Sequence, residues 1–221
     1  MMRSVRHHEA GSVQANRLLL LLLTFALVAC REQQQPWQTG DLVFVESGIR
    51  LESQSDMEQA IVGSTGAMVH VGIVEVANDS VFVIDAAPKT GVSRRPWEAF
   101  MEAQKDEDGN LPNISIMRLK DNHDALDFVD KAKSRIGADY DFAFLPDNGK
   151  YYCSELVYEC YQRDGKPIFE AAPMNFRNAE GAFDPYWVEL FEAQGMEIPQ
   201  GVSGTNPDDL FHSPLLVSLI Q

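Results

Sequence analysis

The chain has 221 residues, of which 45% are hydrophobic and 23% are charged. This length and composition predict one globular domain with a short extension, and they exclude a disordered or fibrous protein. Acidic side chains outnumber basic ones by 33 to 18, which gives a formal net charge of -15. Because the globular part has no cluster of Lys and Arg to neutralise phosphates, we expect no nucleic-acid partner.

The cysteine content excludes two kinds of small protein. The cysteines Cys30, Cys153 and Cys160 are too few for a scaffold held together by disulfides. No group of Cys and His has the spacing of zinc ligands, so the sequence predicts no metal and no other cofactor. Cys153 and Cys160 share a predicted helix and lie about 10.5 Å apart along it, which is too far for a disulfide. We expect Cys160 to be a small core residue.

The first 29 residues have the pattern of a secretory signal. Three arginines precede an apolar run from Leu18 to Ala29 that is too short to cross a bilayer as a helix. The run ends in Leu27-Val28-Ala29-Cys30, which resembles the bacterial lipobox, where the cysteine is acylated and becomes the new N-terminus after cleavage. An ordinary signal peptide with an incidental cysteine is the alternative.

These features predict three segments along the chain. Residues 1–29 are expected to be a removed lipoprotein signal peptide, residues 30–39 a lipidated tether, and residues 40–221 the folded domain. Cys30 is then the lipid anchor that holds the protein to a membrane of the bacterial cell envelope. Arg31 rather than Asp follows Cys30, and by resemblance to enterobacterial sorting signals this favours the outer membrane, with the domain facing the periplasm.

Short strands and helices follow one another in the folded domain, so the sequence predicts an α+β protein. A helix over Asp124–Ile136 is expected to bury Leu126, Val129, Ala132 and Ile136 on one stripe. The segment after Pro167 is rich in Pro, Gly, Asn and Asp and is expected to be irregular. The other predicted elements, in chain order, are a turn followed by a strand over Gly40–Val45, a helix over Ser55–Val62, a hairpin of Val69–Val76 and Val81–Ala86, a helix over Pro96–Gln104, a strand over Ile114–Leu119, and a helix from Cys153 to about Arg163.

The hairpin places a histidine beside a carboxylate. Side chains alternate between the two faces of a strand, so either short turn about Asn78 puts Asp85 on the same face as His70. The apolar residues of both strands then form the opposite, core face, and Gly72 is expected to leave open space beside the pair. An acid next to imidazole fixes its tautomer and stabilises its charged form. Glu75 falls on the other face and is the weaker candidate for this role.

Cys153 is the matching nucleophile. It begins a predicted helix, where unpaired backbone N–H groups and the helix dipole favour a thiolate. A histidine that approaches this thiolate completes an ion pair of the cysteine-protease kind. The alternative is a merely buried cysteine.

The ordered set of these segments resembles a known family. The segments that carry the resemblance are Gly40-Asp41-Leu42-Val43, His70-Val71-Gly72-Ile73-Val74, Val83-Ile84-Asp85-Ala86, Gly91-Val92, Gly137, Tyr140-Asp141, Tyr152-Cys153-Ser154-Glu155-Leu156-Val157 and Asn206-Pro207-Asp208-Asp209-Leu210. Together, over about residues 38–218, they resemble the circularly permuted papain-like hydrolases of the NlpC superfamily, the YiiX/YebB-like group.

The resemblance implies a permuted papain-like (NlpC-type) fold, in which a small antiparallel sheet packs against the helix that carries the nucleophile. It implies that Cys153 is the nucleophile, His70 the general base and then acid, and Asp85 the orienting residue. The group often has Glu in place of Asp85. The backbone N–H of Cys153 is an expected oxyanion donor, and Tyr140, Tyr151 and Tyr152 are candidate pocket residues for which packing is the alternative.

Three functions are consistent with the sequence. The leading hypothesis is a lipid-anchored cysteine hydrolase that cleaves amide bonds, with cell-wall peptide as its substrate. The second is a lipid-directed acyl hydrolase or acyltransferase with the same Cys-His apparatus. The third is a non-catalytic module that binds the cell wall or a partner protein.

Overall fold

The structure is a computed structural model that describes residues 37–48, 55–106 and 108–220. Its strands are β1 (Leu42–Glu46), β2 (Met68–Ala77), β3 (Ser80–Ala87), β4 (Gly91–Pro96), β5 (Ile114–Leu119), β6 (Gln162–Arg163), β7 (Lys166–Pro167), β8 (Ala172–Pro173), β9 (Ser203–Gly204) and β10 (Leu216–Ile220). Its helices are α1 (Asp56–Ser64), α2 (Trp97–Ala103), α3 (Ala125–Ser134), α4 (Cys153–Cys160), α5 (Pro185–Ala193) and α6 (Pro207–Phe211).

A six-stranded antiparallel sheet is the centre of the domain. Its strands lie in the order β10-β5-β1-β2-β3-β4, and every neighbouring pair is antiparallel. Two short strand pairs, β6 with β7 and β8 with β9, lie outside this sheet. The architecture is α+β, as the sequence predicts.

The hairpin of β2 and β3 has one of the two registers that the sequence predicts. Ile73 lies opposite Ile84, and the turn between the strands places both Asn78 and Asp79 at positive φ. Asn and Asp tolerate this left-handed conformation, which short hairpin turns of the primed types require. In this register Asp85 lies on the same face of the hairpin as His70.

Both faces of the sheet are packed, which corrects the expectation of a single core face. On one face, Ile73 and Ile84 pack in a cluster with Leu156 of α4. On the other face, Val74 and Val83 pack in a second cluster with Phe100 of α2. The face that carries His70 and Asp85 is therefore largely covered, because α2 and its aromatic side chains lie over it.

Several elements differ from the predicted ones. Leu126 and Ile136 are 72% and 46% exposed, because α3 buries Phe128, Val129 and Ala132 and ends before Ile136. Helix α4 ends at Cys160, where the short β6–β7 hairpin begins. Strand β4 and the elements of the C-terminal segment, α5, α6 and β10, were not predicted. Strand β10 pairs with β5 and forms one edge of the main sheet.

The end of the predicted tether belongs to the folded unit. The Trp37 ring packs edge-on against Trp97 with centroids 4.5 Å apart, and Thr39 exchanges side-chain hydrogen bonds with the backbone of Val76. The predicted signal peptide and Cys30 lie outside the described residues. Within the described ranges, no helix combines the length and the hydropathy needed to span a bilayer.

Candidate active site

Cys153 is the first residue of α4. Tyr152 caps the helix, and the Tyr152 backbone N–H donates a 3.4 Å hydrogen bond to Oε2 of Glu155. The helix is anchored against the sheet by Leu156, Val157 and Cys160, which are fully buried. Cys153 itself is 6% exposed, at the end of the helix where backbone N–H groups favour negative charge.

His70 and Asp85 are joined by a short hydrogen bond. His70 Nε2 lies 2.7 Å from Asp85 Oδ2, and the Asp85 side chain is completely buried. His70 and Cys153 line the same cleft, and the proximity of Cys153 raises the pKa of the His70 ring. Since Nε2 is engaged by Asp85, Nδ1 is the ring nitrogen left for the thiol. The structure thus brings together the three residues that the sequence predicts as the catalytic group.

These neighbours change the protonation of His70. Burial of the ring lowers the pKa of His70, but the hydrogen bond that the ring donates to Asp85 and the influence of Cys153 outweigh burial. The pKa rises from 6.5 to about 10. At neutral pH the ring is therefore an imidazolium, which is the charge state of the histidine in a Cys-His ion pair.

A fourth residue, Arg95, lies in this group and was missed by the sequence analysis. Arg95 Nη2 donates a 2.6 Å hydrogen bond to the same Asp85 oxygen that His70 contacts. Arg95 is opposite Val83 in the β3–β4 pairing and shares the face of Asp85. The same alternation that linked His70 to Asp85 identifies Arg95 once β4 is known to be a strand.

A cleft of about 590 Å³ contains the reactive residues. His70, Cys153 and Arg95 line it, together with Ser154 and Thr205. The hydroxyls of Ser154 and Thr205 are buried and have no hydrogen-bond partner among the described residues. Part of the wall is an aromatic cluster, which consists of Tyr140, Phe144, Tyr152, Phe176 and Trp187.

The candidate pocket residues divide into two groups. Tyr140 and Tyr152 line the cleft, whereas Tyr151 packs outside it with the Arg135 guanidinium 5.6 Å from its ring centroid. Gly72 does not leave open space, which corrects the prediction. A Cβ at Gly72 would overlap with Cγ1 of Val83 and lie 3.5 Å from the Cβ of Asp85, so the glycine permits close packing of β2 on its neighbours.

Glu75, the weaker candidate for the acidic partner, takes no part in the site. It accepts hydrogen bonds from Arg94 Nε at 2.5 Å and from Lys133 Nζ at 3.0 Å. These contacts hold β2, β4 and α3 together on the face opposite His70. Within the described ranges, no group of three or more His, Cys, Asp or Glu side chains is arranged to hold a metal ion.

Glu155 is a buried acid that lies two residues after Cys153 in α4. Burial and the negative charge of Asp141 raise the pKa of Glu155, and the hydrogen bond from the Tyr152 backbone lowers it; the net pKa rises from 4.5 to about 8. The folded protein therefore holds a proton on Glu155 between pH 4.5 and about 8 that the unfolded chain releases. By linkage, this group lowers stability as pH rises through that range.

We expect Glu155→Gln to raise the Tm at pH 8 and to change it little at pH 4.5. The amide has the shape of the protonated acid and needs no proton from solvent, so the pH-dependent cost disappears. Thermal unfolding at the two pH values measures the difference, with the exposed Glu192→Gln on α5 as the control. An equal change in Tm at both pH values would contradict protonation of Glu155 in the folded state.

Residues 36–220 match the family described as permuted papain-like amidase enzymes, YaeF/YiiX, C92. The chain belongs to this family. The permuted papain-like amidases share a fold that the sequence resemblance predicted, and that prediction is confirmed. Membership also supports hydrolase activity of the cysteine type.

Two individual relatives of this amidase family illustrate the similarity. The chain is 27% identical over 212 residues to an uncharacterized protein, YiiX of Escherichia coli strain K12, and the match covers 93% of this chain and 96% of YiiX. A crystal structure described as the metalloprotein YiiX of Escherichia coli O157:H7 has a TM-score of 0.64 at 24% identity. That comparison covers 82% of this chain and 95% of the other chain.

Proposed function

We propose that the protein is a cysteine amidase in which Cys153 is the nucleophile, His70 the general acid and base, and Asp85 the orienting residue. The observation that carries the proposal is the hydrogen bond of 2.7 Å between His70 Nε2 and Asp85 Oδ2, which leaves the other ring nitrogen for Cys153. This arrangement fixes the imidazole tautomer and stabilises the imidazolium that a thiolate requires.

The reaction proceeds in two steps. In the first, Cys153 Sγ attacks the amide carbonyl carbon, His70 donates its proton to the leaving nitrogen, and the C–N bond breaks to give a thioester and a free amine. In the second, neutral His70 takes a proton from a water molecule while the water oxygen attacks the carbonyl carbon of the thioester. The C–S bond then breaks, the acid leaves, and the thiolate and imidazolium are restored. We assign the backbone N–H of Cys153, the first residue of α4, as a donor to the developing oxyanion.

The proposed substrate is an amide bond of cell-wall peptide. The cleft is lined by polar as well as aromatic residues, among them Glu58, Asn175 and Asn206, which supports a polar peptide substrate. We also propose that Cys30 carries lipid and places the enzyme at the periplasmic side of the outer membrane, within reach of the cell wall. The lipobox-like sequence before Cys30 supports this location.

A second function, a lipid-directed acyl hydrolase or acyltransferase, is favoured by the aromatic cluster. Five aromatic side chains line the cleft that contains Cys153, and their rings pack 5.2–6.4 Å apart. Such a wall accommodates an acyl chain as well as an apolar peptide side chain. The same thioester chemistry applies to an ester bond.

One experiment separates these functions. The purified domain is incubated with peptidoglycan fragments and, separately, with phospholipid vesicles, and released amines and released fatty acids are measured. Amine release from peptidoglycan fragments supports the proposed amidase, whereas turnover confined to lipid would overturn it in favour of the second function. Binding to either substrate without any turnover would favour a non-catalytic module. Mass spectrometry of the mature N-terminus tests whether Cys30 is acylated.

A further inference from the structure

One oxygen of Asp85 serves two cations. Oδ2 lies 2.7 Å from His70 Nε2 and 2.6 Å from Arg95 Nη2, while Oδ1 has no hydrogen-bond partner among the described residues. The Asp85 side chain is fully buried, and the Arg95 side chain is 17% exposed. Among the described residues, His70 and Arg95 are therefore the two groups that compensate the charge of this carboxylate.

The two cations differ in what happens to them during catalysis. His70 must lose its proton to the leaving amine and regain one from water, whereas a guanidinium stays charged throughout. When His70 is neutral, a buried carboxylate without another cation would be strongly disfavoured. Arg95 compensates Asp85 in that state.

We propose that Arg95 is a positioning residue that keeps Asp85 ionised and directed at His70 while His70 gives up and takes back its proton. This inference rests on the proposed function, because it assigns Arg95 to the cycle in which His70 acts as acid and then as base. Arg95 contacts Asp85 and acts through it.

Arg95 and His70 both pack against the same aromatic side chain, Phe100. The ring centroid of Phe100 lies 6.1 Å from that of His70 in a stacked arrangement, and the Arg95 guanidinium carbon lies 5.6 Å from the centroid of the same Phe100 ring. Phe100 is fully buried in α2. Both cations are thus fixed by one rigid aromatic side chain as well as by the Asp85 oxygen.

We expect His70 to hold its proton more tightly when Arg95 is removed. A positive charge close to an ionisable group favours loss of its proton, so its removal raises the pKa. His70 is hydrogen-bonded to Asp85 on β3, and Cys153 on α4 lines the same cleft. The other charged or titratable groups that line the cleft are Glu58 on α1, Lys89 between β3 and β4, Arg95 on β4, Lys105 and Asp106 after α2, and Tyr140 and Tyr152 before α4.

The test is an NMR titration of the His70 ring in a Cys153→Ala background, which removes the thiol from the coupled group. Arg95→Met is expected to raise the pKa of His70 by at least about one unit, and Arg95→Lys is expected to restore it. Arg95→Gln replaces Arg95→Met if the latter does not fold. The matched control is Arg94→Met, because Arg94 lies on the same strand but pairs with Glu75 on the opposite face.

Kinetics in the protein with Cys153 provide the second readout. If His70 holds its proton in Arg95→Met, deacylation slows more than acylation, because neutral His70 is the base for water, and the thioester accumulates as a mass adduct on Cys153. An unchanged His70 titration in both Arg95→Met and Arg95→Gln would overturn the proposal. The titration needs no substrate, so it tests the effect of Arg95 on His70 independently of turnover. A lack of turnover would contradict the amidase function, whereas an unchanged titration would contradict the role of Arg95.

Discussion

Cys153→Ala is expected to reduce amine release from peptidoglycan fragments by at least about 10⁴-fold, because removal of the nucleophile eliminates the covalent pathway and leaves only binding and backbone donors. The fold should persist, since the substitution removes one sulfur from a small buried side chain at the start of α4. Initial rates at saturating substrate, with circular dichroism to verify folding, measure the effect.

Cys160→Ala provides the matched control for this loss. Cys160 lies in the same helix and is fully buried, and burial raises the pKa of its thiol to about 12. It therefore has no thiolate at neutral pH and contributes only packing. We expect Cys160→Ala to keep the wild-type rate within a few-fold, with some loss of stability. Retention of the wild-type rate in Cys153→Ala would show that another group attacks the substrate.

Arg118→Met is expected to lower the free energy of unfolding by about 3–5 kcal/mol, because it leaves a buried carboxylate without its cation. Asp41 is fully buried and accepts hydrogen bonds from Arg118 Nε at 2.6 Å and Nη2 at 2.8 Å. The backbone N–H of Gln38 donates a further bond of 2.6 Å to Asp41. This pair joins the segment before β1 to the neighbouring strand β5. Urea unfolding at pH 7 measures the change.

Two variants test whether the buried charge is the cause. The double variant Asp41→Asn with Arg118→Met removes both charges and should be more stable than Arg118→Met alone. Lys105→Met breaks the exposed pair with Glu102, which is 70% exposed, and should cost about 0.5 kcal/mol or less. If Arg118→Met proved no more destabilising than Lys105→Met, the buried pair would not support the sheet as described.

Local patterns were sufficient to predict much of the fold. The β2–β3 hairpin follows from alternation on either side of a short turn, and Ser55 caps α1 near its predicted start. Strand β4 was missed because two adjacent arginines and a proline hide its alternation, and its role depends on pairing with β3. Strand β10 depends on pairing with β5, far earlier in the chain, which no local pattern specifies.

The candidate site divides in the same way between local and long-range information. The proximity of His70 to Asp85 follows from strand parity, so it was predictable. The contact of Arg95 with Asp85 requires the β3–β4 register, and the aromatic cluster requires the packing of α5 and residue Phe176 against the loop before α4. Gly72 was misread because sequence shows a missing side chain but not the Val83 methyl group that occupies the space.

The rate of iodoacetamide labelling of Cys153 as a function of pH, in the wild type and in His70→Ala, tests the central claim most directly. An assembled Cys-His pair predicts rapid labelling of Cys153 down to about pH 6 and at least about tenfold slower labelling in His70→Ala at that pH, with Cys160 unlabelled in both. Slow labelling at pH 6 that is unaffected by His70→Ala would contradict the ion pair and, with it, the proposed role of Cys153 as the nucleophile.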